Sequence, residues 1–209
     1  MSNNTSDILL EVRKAYRFLY NYQSRILDLI GFIGNKFGVN YKGGYPKFSD
    51  IVPRPGKGNL NNWAWDWLNM YFYEFHFGMH EVVYNKEGEQ RIDKLTFAIF
   101  IVNDNGYFLS TDKNKIQTDT FKPVEESESK LIFVVGKNMW ENWGDNWHTP
   151  DFILEPAGKR VRDENECMLF KQYNLALFGS EEDAIKCLKD FESYCLQNDI
   201  NMTVKSAII

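Results

Sequence analysis

"NNWAWDWLNMYFYEFHFGMHE", residues 61–81, decides how this chain is read, because it concentrates three tryptophans and five further aromatic rings. Aromatic residues favour a pleated, packed surface, so Leu68 to Val83 is expected to be a strand. With a period of two, Trp67, Asn69, Tyr71, Tyr73, Phe75 and Phe77 share one face. Leu68, Met70, Phe72, Glu74, His76 and His80 share the other, with Gly78 placed for a bulge. Neither face is simply polar. The strand is therefore expected to lie inside a sheet covered on both sides, with Glu74 and His76 at a polar opening or near an edge of the cover.

Outward from this strand, Asn85 to Glu89 reads as a turn and Leu95 to Val102 as the returning strand. Asn105-Gly106 is a strong hairpin signal leading into Tyr107-Phe108-Leu109. Residues 111–129 are polar and acidic enough for a solvated excursion, followed by a short strand at Leu131 to Val135. A late strand is expected across Glu166 to Phe178. The tail from Asn201 to Ile209 is expected either to add a short edge strand or to fray.

Two helices frame the strands. Over residues 7–37, Ile8, Val12, Tyr16, Leu19, Ile26, Ile30, Ile33 and Phe37 recur at three- or four-residue steps, widened by Ala15, Tyr22 and Leu29. This stripe predicts burial along the whole helix. Ser6 is the expected N-cap and Gly38 the terminator. Residues 181–196 form the second helix, with Ser180 as cap and Glu181, Glu182 and Asp183 in the favourable first turn. The fold class is thus α+β, a largely antiparallel central sheet flanked by a long N-terminal helix and a C-terminal helix. The 209 residues suit one domain, 1–209, with an irregular basic Gly/Pro-rich loop at 38–62 and an aromatic loop at 137–152.

Composition narrows the functional classes. The net charge of -5 conceals a basic first part: residues 1–60 carry nine basic and four acidic side chains, whereas the remainder carries fifteen and twenty-five. Such polarity steers a partner or packs one part of the chain against the other. The overall sign disfavours nucleic acid without excluding a local phosphate patch. No apolar run approaches the roughly 18 residues of a membrane span, and the first residues do not form a signal peptide. Three cysteines give neither a disulfide framework nor a CxxC pair, so the expected setting is reducing and cytoplasmic.

The candidate site residues come from two aromatic clusters. Trp63, Trp65 and Asp66 belong to the first; Trp140, Asn142, Trp143, Asp145, Trp147 and His148 belong to the second. Rings on a loop make a rigid contact platform, with the amide, carboxylate and imidazole groups supplying direction. Packing of the same rings against the sheet is the competing expectation. A weaker phosphate-binding set is Lys42, Lys47, Arg54 and Lys57, although "PRPGKGN" lacks the spacing of a nucleotide-binding loop.

Glu74, His76 and His80 have metal-ligand chemistry but span about 20 Å along a straight strand, so only a bend at Gly78 unites them. Asp66, Glu74, Asp145 and Asp151 could support metal-assisted hydrolysis, but no Glu-x-Lys follows Asp151 and Glu155. No metal or cofactor is expected. The residues favour a non-catalytic domain that binds a protein or peptide more readily than a small molecule, with homo-oligomerisation open. The alternative is a metal-assisted small hydrolase or nuclease acting on a phosphate-bearing substrate.

Overall fold

The central strands are apolar on both faces because both faces are covered. In the computed structural model, which describes residues 5–49, 64–86, 89–111, 116–139 and 153–205, Phe97, Ile99 and Ile101 are buried on one side. Ala98, Phe100 and Val102 are buried on the other. The elements run α1 (Thr5–Phe37), β1 (Gly43–Pro46), β2 (Phe72–Lys86), β3 (Glu89–Val102), α2 (Gly106–Leu109), β4 (Lys130–Lys137), β5 (Ala157–Asp163), β6 (Glu166–Asn174) and α3 (Glu181–Leu196). Among the described residues six strands form one sheet in the order β1-β2-β3-β4-β6-β5, and every neighbouring pair is antiparallel. The α+β architecture with its long first helix and C-terminal helix is the one expected.

α1 and α3 pack on the same face. Ile26, Ile30, Ile33 and Phe37 of α1 join Leu188, Phe191 and Cys195 of α3 over Phe97, Leu131, Phe133 and Leu169. Edge-on ring contacts tie the layers together, with centroids 5.3 Å apart for both Phe37–Phe97 and Phe133–Phe191. Gly34 permits the close approach of α1, since a Cβ there would lie 2.6 Å from Phe77 Cε1. Ser180 caps α3 as expected, its hydroxyl accepting from the Asp183 amide. The second face carries Phe72, Phe100, Ile132, Val134 and Phe170 beneath Phe108 and Ile153.

Several local expectations are corrected. The Asn105-Gly106 hairpin does not form. Asn105 has φ of -87°, whereas the expected tight turn needs positive φ at both central residues. Instead, Asp104 Oδ1 accepts from the Gly106 amide, and the Asn105 side chain accepts from the Glu128 amide. These bonds start α2 and close a longer excursion before β4. The strand expected from Leu68 begins at Phe72, after 3-10 turns over Ala64–Trp67 and Asn69–Tyr71. Likewise β6 ends at Asn174, whose side chain accepts from the Ala176 amide and opens a 3-10 turn over Leu175–Phe178.

Edge elements also differ. β1 lies within the segment read as irregular, and β5 was not anticipated. The tail through Lys205 is not a strand; Met202 and Val204 are buried, and the Lys205 amide donates to Lys36 O. Ser6 lies inside α1, which already begins at Thr5. The largest correction concerns α1 itself, because residues 5–21 are exposed and its stripe is buried only from Ile26 onward.

Candidate functional site

Gly78 separates two histidines that strict alternation would put on one face. Its φ of +75° accommodates a register shift between His76 and Met79. Before the shift His76 pairs with Ala98 on the second face; after it His80 pairs with Leu95 on the helix-bearing face. Glu74, His76 and His80 therefore cannot converge on one ion. Among the described residues no group of three His, Cys, Asp or Glu side chains could hold a metal.

Glu74 is nevertheless central to a polar island on the second face. Its carboxylate is 2% exposed as a residue and meets Lys47 Nζ at 2.5 Å. The Lys47 ammonium also lies 5.8 Å from the Phe100 ring centroid, so it sits against the sheet within an ion pair. The Gly78 amide donates to His76 Nδ1 at 3.0 Å, which assigns the neutral imidazole's proton to Nε2. Burial pushes the His76 pKa below its ordinary value; Glu74 opposes this, while Lys47 and His80 reinforce it. His80 is also held below its ordinary value, first by burial, despite its hydrogen bond to Phe77 O.

Of the expected contact residues, Trp65 and Asp66 fall in the 3-10 turn before β2, where Asp66 is buried. Trp65 donates from Nε1 to Ile116 O and stacks on Phe121 at 5.6 Å. Phe48 and Tyr71 lie 5.1 and 4.8 Å from its ring, making a packed aromatic cluster at the margin of the second face. Trp63, Trp140, Asn142, Trp143, Asp145, Trp147 and His148 lie outside the described residues, as do Arg54 and Lys57. Lys42 stands beside the bulge, where a Cβ on Gly78 would meet its side chain.

A different aromatic surface lies on the helix-bearing side. Two adjoining cavities of about 370 and 380 Å³ share Leu27, Tyr41 and Phe75, forming a groove between α1 and β2. Trp67 and Tyr73 line one end and Val39 and Phe77 the other. Trp67 is 66% exposed, Leu27 54% and Tyr41 52%. Burial, followed by a side-chain hydrogen bond with Tyr41, raises the Tyr73 pKa to about 12. The polar lining consists of amides, including Gln23 and Asn69, with the Tyr41 and Tyr73 hydroxyls, and none of the described lining residues is charged.

Sequence reading leaves Trp67, on an expected strand face, between contact and packing, and places Tyr41 in the irregular loop at 38–62 without a contact role. Leu27 gave the one available indication, as a large apolar residue outside the main stripe of α1. A third cavity, about 600 Å³ between α1 and α3, contains Arg25, Asp28 and Glu181 and is thus charged in character.

No helix among the described residues is long and apolar enough to cross a membrane. A family model described as PM0109 matches residues 2–201. No curated protein and no solved structure matches the chain.

Proposed function

The chain belongs to the PM0109 family, and for this member we propose a non-catalytic interaction domain that receives a protein or peptide segment in the groove between α1 and β2. The observation that carries the proposal is the combination of exposed rings with an uncharged lining. The centres of protein interfaces are enriched in aromatic groups and depleted of charge, which matches Trp67, Tyr41 and Leu27 bordered by amides. A phosphate-bearing ligand would leave its charge without a cationic partner in this lining. An apolar or aromatic side chain, flanked by backbone groups that bond to Gln23 and Asn69, suits it better. A cytoplasmic setting belongs to the same proposal and draws support from the three free, buried cysteines.

The test is a binding titration with a partner recovered from native extract. Trp67→Ala and Tyr41→Ala should each weaken binding by tenfold or more, the range of a central aromatic contact. Arg162→Ala, on β5 at the far edge of the sheet, should leave affinity unchanged. Circular dichroism and thermal melts establish that the variants remain folded. Wild-type affinity in both folded groove variants would overturn the assignment. The hydrolase alternative requires Glu74 and His76 to join Asp145 and His148, and the latter two lie outside the described residues.

A further inference from the structure

His76 connects the second face of the sheet to the groove on the first. Its carbonyl accepts from the Lys42 amide at 2.8 Å, and its Nδ1 accepts from the Gly78 amide at 3.0 Å. Tyr41 immediately precedes Lys42, and Phe77 lies between His76 and Gly78, so each amide adjoins a ring that lines the groove. Those two rings are 6.2 Å apart, and Phe77 also meets Phe97 at 5.4 Å. Strand pairing passes from His76–Ala98 to Met79–Thr96, which leaves Phe77 and Gly78 together opposite Phe97. Side chains fasten the bulge instead. His76 holds the Gly78 amide, and His80 Nε2 holds Phe77 O at 3.1 Å.

The two fastenings respond oppositely to a proton. His80 donates to a carbonyl through Nε2–H, which a charged imidazole retains; His76 accepts at Nδ1, which only a neutral imidazole can do. We propose that His76 is a proton-operated switch of the groove: a proton on Nδ1 releases the Gly78 amide, and the bulge rearranges with Phe77 and Tyr41. No covalent bond breaks. The imidazolium has two N–H donors and no acceptor, so the buried Gly78 amide faces a donor and must find another partner. Glu74, two residues earlier on the same strand face, takes up the new Nδ1–H in competition with Lys47.

The charged groups around the switch set its direction. Among the described residues, those acting on the imidazole are Glu74 on its own strand, Lys47 just after β1, and His80 beyond the bulge. Lys42 lies over Gly78, and the β3 neighbours Thr96 and Ala98 carry no charge. Glu74 favours the imidazolium, whereas burial, Lys47 and His80 oppose it. The bonded form therefore holds at neutral pH, and the released form gains as pH falls below the ordinary histidine value of 6.5. Its consequence for binding rests on the groove reading; the switch itself does not.

The test is nuclear magnetic resonance on the full isotope-labelled chain, titrated from neutral to mildly acidic pH with no partner added. The His76 ring signal is assigned by its loss in His76→Asn, whose Oδ1 sits on Cγ as Nδ1 does and keeps an uncharged acceptor for Gly78. As His76 titrates, the Gly78 amide should lose about tenfold of its protection from hydrogen exchange, the worth of one hydrogen bond. The Phe77 and Tyr41 ring signals should shift with the same midpoint, while the amides of Leu131 to Val135 in β4 stay protected. Each response should vanish in His76→Asn and persist in His80→Asn. Gly78 protection that survives the His76 titration overturns the proposal, and that measurement decides the matter even if His76→Asn does not fold. Release that persists in His76→Asn or vanishes in His80→Asn overturns it too, as do Phe77 and Tyr41 rings that stay fixed. Simultaneous loss of the β4 amides also overturns it, by showing global unfolding. A partner that ignores Trp67→Ala would defeat the groove assignment and leave these signals unchanged, so the two readings fail separately.

Discussion

Lys47 and Glu74 show how a single contact changes the meaning of a residue. A lysine in a basic loop suggests phosphate contact, but its position immediately after β1, with its amide donating to Phe72 O, places the ammonium against a buried carboxylate. Lys47→Met should destabilise the fold by about 3 to 5 kcal/mol, because Glu74 would be left charged in a site with little water. Adding Glu74→Gln should recover a substantial part of that loss, as denaturant melts of the single and double variants would show. His76 yields a second expectation, in pH. Its folded-state pKa lies below the unfolded value, so the unfolded chain binds more protons as pH falls through about 6.5. The stability it contributes is present above that pH and is lost as pH drops toward the folded pKa. Between pH 7.5 and 5.5, melts of His76→Gln should therefore show a shallower decline than the wild type. An identical slope would show that His76 is not a source of the dependence.

At the level of the element, α1 has one pattern and two environments. Ile26 is buried, so Ile26→Ala removes apolar contact and leaves a cavity, at a cost of about 2 to 5 kcal/mol. Leu19 is 37% exposed, and Leu19→Ala should cost less than about 1 kcal/mol in the same melt. Equal large losses would place the arm against the body. β2 also changes environment along its length: the bulge at Gly78 exchanges its faces, so His76 and His80 serve different layers. Residue types identified the strand, and Gly78 marked the place where its alternation could fail. Its effect on the two histidines depended on the partner strand, because register is a relation between two strands.

Across the whole molecule, one antiparallel sheet carries both helices on one face and shorter segments on the other. This arrangement puts a neutral aromatic groove beside α1 and a buried ion pair beneath the opposite cover. The sequence by itself determined the α+β class, the long N-terminal helix, the capped C-terminal helix and the two-sided burial of the strand around Phe75. Those features rest on strong local causes: sustained periodicity, a serine before an acidic turn, and aromatic density on alternating positions. Only the tertiary structure decided that Asn105 opens a short helix, that β1 and β5 edge the sheet, and that Trp65 packs while Trp67 stands exposed. It also decided that half of α1's apolar stripe meets the core and half does not. Local sequence records the chemistry a face offers, whereas burial requires a second surface at the right distance, and that surface is contributed by residues far away in the chain.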